Sequence, residues 1–204
     1  MANLNNNLTM LCGGCVKAST EIKPAADAWL GIAHAAALIT RMLPNYTLFS
    51  EVTGSGDSKV FNNILDLIWE YAAGHNQRID FQKQQDKLEE ITPNPDNFDV
   101  YGVWPAMDAT VALASLLSAC ERWDQEELES VGRLSLSTIE RYLEVVGESD
   151  DDAMHPLIQA EQEFVAELNA LVLAGRSKGR PALVMSLKRL ACAQELSNIG
   201  LERG

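Results

Sequence analysis

Histidine, cysteine and positive charge are all scarce in this chain. Its 204 residues include three histidines and four cysteines, and sixteen Lys and Arg face twenty-nine Asp and Glu. The net charge of −13 argues against a nucleic-acid partner, because phosphate affinity comes from Lys and Arg displacing counterions. The histidines, His34, His75 and His155, form neither an HExxH nor a Glu-x-x-His element, so no ligand set for a metal is expected and no cofactor is implied. Cys12 and Cys15 make a lone CGGC, whereas Cys120 and Cys192 lie in apolar helical stretches. A single CxxC without a second pair is weak support for zinc or redox chemistry, and reduced thiols are the default.

Other absences narrow the reading further. No GxSxG marks a serine nucleophile. GSGD at Gly54 to Asp57 is followed by no GK[ST] and preceded by no strand, which rules out a phosphate loop. No segment alternates with period two, and no internal repeat is evident. The N-terminus lacks a positive region before its short apolar part, so a cytoplasmic location is expected.

What is present is helical patterning. Hydrophobic residues make up 47% and charged residues 22%, an ordinary globular balance. The expected organisation is a loosely held Asn-rich arm over residues 1–20 and one all-helical domain over 21–204. The chain is organised around Phe98 to Cys120, which carries a single charge, Asp108, between Trp104 and Cys120. A helix apolar on nearly every side is a buried one, and Pro105 suits its start. The stretch is too short and too rich in Ala and Ser for a membrane span of roughly 20 mainly apolar residues. Asp108 reads as a first-turn acid favoured by the helix macrodipole, with a buried functional carboxylate as the alternative.

Around this centre the spacing predicts about seven helices, an all-α bundle. The first runs from about Ala25 to Met42 and stops before Pro44, since a residue preceding proline avoids the α region. A short turn at Tyr46 to Val52 and a strongly amphipathic helix from Asp57 to Ala73 follow. A weaker helix over Asp80 to Ile91 is expected at the periphery. Later helices run from Asp124 to about Val146, from Pro156 to about Ala174, and from Pro181 through LVMSLKRLACAQEL.

Candidate chemistry is thin. Asp66 and Glu70 lie one turn apart on one face and could share a metal, but with Lys59 and Asn63 beside them a solvated face is the better reading. Arg176, Lys178 and Arg180 form the only basic cluster, at a helix start where anions bind. Asp99, Tyr101, Trp104 and Asp108 place polar handles around the start of the central helix.

Four motifs together resemble a known family. PNYTLF (Pro44 to Phe49), TGSGD leading into NNILDLIWE (Asn62 to Glu70), FDVYGVWPAMDATVAL (Phe98 to Leu113) and SNIG (Ser197 to Gly200) are similar to the YjaG-like bacterial proteins, a domain of unknown function. The resemblance covers about Trp29 to Gly200 and implies an all-helical fold with no catalytic role to carry over. The Asn-rich arm with CGGC departs from the family pattern. The functional expectation is a non-catalytic interaction protein that self-associates through a helix face as a homodimer. Its basis is apolar surface at the Asp80–Ile91 helix and at Trp69 and Trp123. The alternative is a ligand-binding protein or enzyme with a pocket near Phe98 to Asp108, reached also by Asp66 and Glu70.

Overall fold

A computed structural model describes residues 28–75, 78–148, 154–175, 177 and 179–203. The Asn-rich arm and CGGC lie outside the described residues, as do Arg176 and Lys178. Among the described residues there are seven α-helices and no strands. They are α1 (Ala28–Thr53), α2 (Ser58–Ala72), α3 (Phe81–Ile91), α4 (Val103–Arg122), α5 (Gln125–Val146), α6 (Pro156–Gly175) and α7 (Arg180–Cys192). The central helix is α4, packed chiefly between α1 and α5 with α3 alongside. Contrary to the expectation from its length and composition, it is long and apolar enough to cross a membrane, and what marks it as a core helix is that most of it is buried inside the protein.

Local chemistry explains most boundaries. Asp57, Asp80 and Asp124 each accept backbone N–H groups at the starts of α2, α3 and α5, satisfying donors that have no intrahelical partner. Gly147 ends α5 in the left-handed conformation, where a side chain is strained. Asn94 likewise caps a short 3-10 turn, Pro95–Asn97, that leads into α4.

Pro44 does not end the first helix. α1 runs through it to Thr53, absorbing the expected turn at Tyr46 to Val52. Proline has no N–H, so the carbonyl of Thr40, one turn earlier, loses its helical partner. The guanidinium of Arg203 supplies a replacement, its Nη2 donating to Thr40 O at 2.9 Å. A segment far away in sequence therefore repairs the helix. That segment folds back on itself through Ser197 N–H to Leu201 O and Arg203 N–H to Glu195 O.

Two further expectations change. Trp69 is buried, its indole N–H donating to Thr40 Oγ1, rather than lying at an exposed edge. Trp123 is half-buried beside Tyr71, which in turn meets Phe81 edge-on, so α3 is sealed onto the core through Phe81 and Leu88.

Candidate functional site

Asp108 is not a first-turn acid. α4 begins at Val103 with no acidic residue in its first turn, and Asp108 is buried one turn further in. Its carboxylate accepts from Thr138 Oγ1 at 2.8 Å and from Arg141 Nη1 at 3.2 and 3.3 Å, both on α5. A carboxylate leaves water at a high desolvation cost, and a hydroxyl with a guanidinium offsets part of it. The Arg141 side chain is 38% exposed, so this pair reaches from the core to solvent.

Beside it lies a mostly apolar cleft. Its volume is ≈240 Å³, between the C-terminal half of α1, the start of α4, the end of α5 and the C-terminal segment. Leu48 and Phe49 of α1, Pro105 of α4, and Ile199 and Leu201 form its apolar walls, with the rings of Tyr101 and Tyr142 completing them. Tyr101 and Tyr142 stand 6.1 Å apart between ring centroids. The Tyr101 hydroxyl is buried and has no hydrogen-bond partner among the described residues. Burial pushes its pKa up, while the nearby positive charge of Arg141 pulls the other way and Asp108 adds to the rise.

A second polar assembly lies behind the cleft and is built differently. Arg41 of α1 faces Glu161 of α6 at 3.4 Å and donates to Ala160 O at 3.1 Å, with its guanidinium over the Phe164 ring. Ser135 donates to the other oxygen of Glu161 at 2.7 Å. Asn198 donates to Ser135 O and accepts from Asn45, which also lines the cleft. Burial lowers the pKa of Arg41, and Glu161 opposes that shift. The chain ties α1, α5, α6 and the C-terminal segment together, and it fixes Ile199 as a cleft wall.

The remaining candidates separate. Asp99 is exposed and Trp104 is 41% exposed, and neither lines the cleft. Asp66 and Glu70 do not converge on a ligand: Asp66 pairs with Lys188 at 2.7 Å, Glu70 pairs with His75, and neither lines the cleft. Arg180 is occupied, donating to Tyr71 O and Ala72 O at the end of α2 while stacked over Trp29. No group of three or more His, Cys, Asp or Glu that could hold a metal is found among the described residues. Sequence reasoning missed Arg141, Thr138, Arg41 and Glu161. Each is one polar residue on an ordinary helix, and only the crossing of helices gives it a partner. SNIG was the one available signal, since it contains Asn198.

Among its described residues the protein is all-helical, with a small apolar cleft beside a half-open ion pair. The chain belongs to a family of proteins of unknown function, DUF416, whose model matches residues 24–202. It is 34% identical over 182 residues to the uncharacterized protein YjaG of Escherichia coli K12, covering 86% of this chain and 91% of that one. A Haemophilus influenzae protein, also named only as uncharacterized, is 33% identical over 183 residues, covering 86% and 92%. Among solved structures, a DUF416 family protein from Shewanella baltica OS155 superposes with a TM-score of 0.77 at 32% identity, covering 88% of this chain and 95% of that one. These relatives bring a fold and a family, and no activity.

Proposed function

We propose that this chain is a binding protein that takes a small, largely apolar ligand in the cleft between α1, α4, α5 and the C-terminal segment. The observation that carries the reading is the lining: apolar side chains and two tyrosine rings converge on a concave space in a chain of net charge −13. Ligand sites are concave, mainly apolar and few per protein. The ≈240 Å³ volume suits a molecule smaller than a typical drug, whose pockets start at roughly 300 Å³. Titration with octan-1-ol, followed by the methyl resonances of Ile199 and Leu201, tests it. Saturable shifts that disappear in Leu48→Trp, which fills the cleft from a partly exposed position, are the expected result. Shifts that never saturate, or that survive the filled cleft, overturn the proposal.

Self-association is a second reading, supported by a different observation. Leu48, Val52 and Val100 leave large apolar side chains exposed around the cleft mouth. A two-fold dimer that buries this rim is the arrangement proposed, since such dimers are the commonest closed assembly. Light scattering at micromolar concentration separates the cases, because the 22.4 kDa monomer mass removes the dimer.

A further inference from the structure

We infer that the ligand of this cleft is an amphipathic carboxylate, its apolar chain held between α1 and the C-terminal segment and its head paired with Arg141. The inference rests on the cleft reading above and adds the chemistry of the head group. Arg141 does not itself line the cleft, but it immediately precedes the wall residue Tyr142, and its guanidinium bonds Asp108, one helical turn beyond the wall residue Pro105. A single guanidinium nitrogen, Nη1, makes both of its bonds to Asp108. No protein partner is recorded among the described residues for its Nε and Nη2, and the side chain is 38% exposed.

Asp108 thus serves as an orienting group. It is fixed from behind by Thr138, and it holds the guanidinium plane without using up the fork of donors. A guanidinium fork matches a carboxylate in a bidentate pair, which a neutral or cationic head cannot form. The charged groups acting on Tyr101 are Arg141, Asp108 and Glu144. Asp108 is already committed to Thr138 and Arg141, and Glu144 is exposed. Arg141 is therefore the charge with donors to spare, and it selects an anion.

Three probes of equal chain length, octanoate, octan-1-ol and octylamine, separate the outcomes in calorimetric titrations of the full chain. Octanoate is expected to bind tightest. Arg141→Gln should weaken octanoate about tenfold, equivalent to about 1.4 kcal/mol, and leave octan-1-ol unchanged. Arg141→Lys, which retains the charge but not the fork, should keep only part of the preference, and its circular dichroism reports whether the fold is intact. Equal binding of octanoate and octan-1-ol, or equal loss of both in Arg141→Gln, overturns the carboxylate assignment and leaves the cleft reading standing. Octylamine binding tightest overturns it in favour of Glu144. Binding of none of the three removes the cleft reading and this inference with it.

Discussion

Among the described residues, two acid–cation pairs with buried carboxylates cross this bundle, and they differ in where their cations end. Arg41 and Glu161 are enclosed together, with side chains 4% and 6% exposed, against Ala160 O, the Phe164 ring and the Ser135 hydroxyl. Asp108 is buried as deeply, but its partner Arg141 reaches solvent beside the cleft. In the first pair both charges depend wholly on each other, since breaking a buried pair strands a charge that cannot be hydrated. In the second, water can reach the cation whenever its partner is removed. The enclosed pair is a brace for the C-terminal segment. The half-open pair presents a charge at a site.

The largest effect that can break this contrast is Arg41→Ala. It strands Glu161, and a loss of about 3–5 kcal/mol in denaturant melts is expected. A loss below about 1 kcal/mol, the range of exposed pairs, means that water enters this region and the two pairs are alike.

Next comes Arg203→Ala, which tests the support just behind Arg41. It leaves the buried Thr40 carbonyl without a donor, a loss of about 1–3 kcal/mol. Pro44→Ala restores an N–H at the position that Thr40 O lacks. In that background the Arg203 substitution should therefore be milder, and a double-mutant cycle measures the difference. Additive losses show that Arg203 acts through something other than the proline gap.

Asp108→Asn is expected to be milder still. A hydrogen bond to a charged group contributes roughly 1.5–3 kcal/mol. Exposure of Arg141 reduces this to about 1–2 kcal/mol, and the amide oxygen can still accept from Thr138. This loss should shrink in high salt, while that of Arg41→Ala should not, because only the half-open pair is screened. A loss above about 3 kcal/mol, insensitive to salt, places Asp108 with the enclosed pair.

The last test concerns titratable groups in or near the core that have no ionic partner. Burial pushes the Cys120 thiol up to about 12 from its ordinary 9.0, and it raises Tyr46 and Tyr71 as well. The folded state thus holds these protons more tightly than the unfolded one. The associated stability is complete below pH 9.0 and is lost as pH rises toward 12. Thermal melts at about pH 8 and about pH 10.5 should show this fall, and Cys120→Ala should reduce it. The exposed Cys192 should meanwhile react with a thiol reagent in the native protein, and Cys120 should not.

Much of the fold was legible because helices are local objects. Asp57, Asp124, Gly74 and Gly147 mark ends through their own backbone chemistry, and the apolar run after Trp104 announces a buried helix without reference to any partner. Legibility failed where the deciding atom came from elsewhere. Pro44 carries every local mark of a helix end, and Arg203 cancels it from the far end of the chain. Asp108 read as a dipole acid because its position near Pro105 suggested a first turn, whereas α4 starts two residues earlier and turns the carboxylate toward α5. Trp69 sat on the boundary of its helical wheel, and a hydroxyl on α1 drew it inward.

Helix number, the all-α class, the buried central helix and the caps were therefore decided by residues acting on their own neighbours, within reach of a turn or two of backbone. The cleft and both ion pairs were decided by tertiary structure alone. Their walls and partners come from α1, α4, α5, α6 and the last residues of the chain, and hydropathy carries no record of which distant polar group will face which. A helix is specified by periodicity along one segment, whereas a site is specified by the crossing of several. Only burial makes a stray Arg141 or Glu161 depend on a partner, because desolvation penalises any charge left without one.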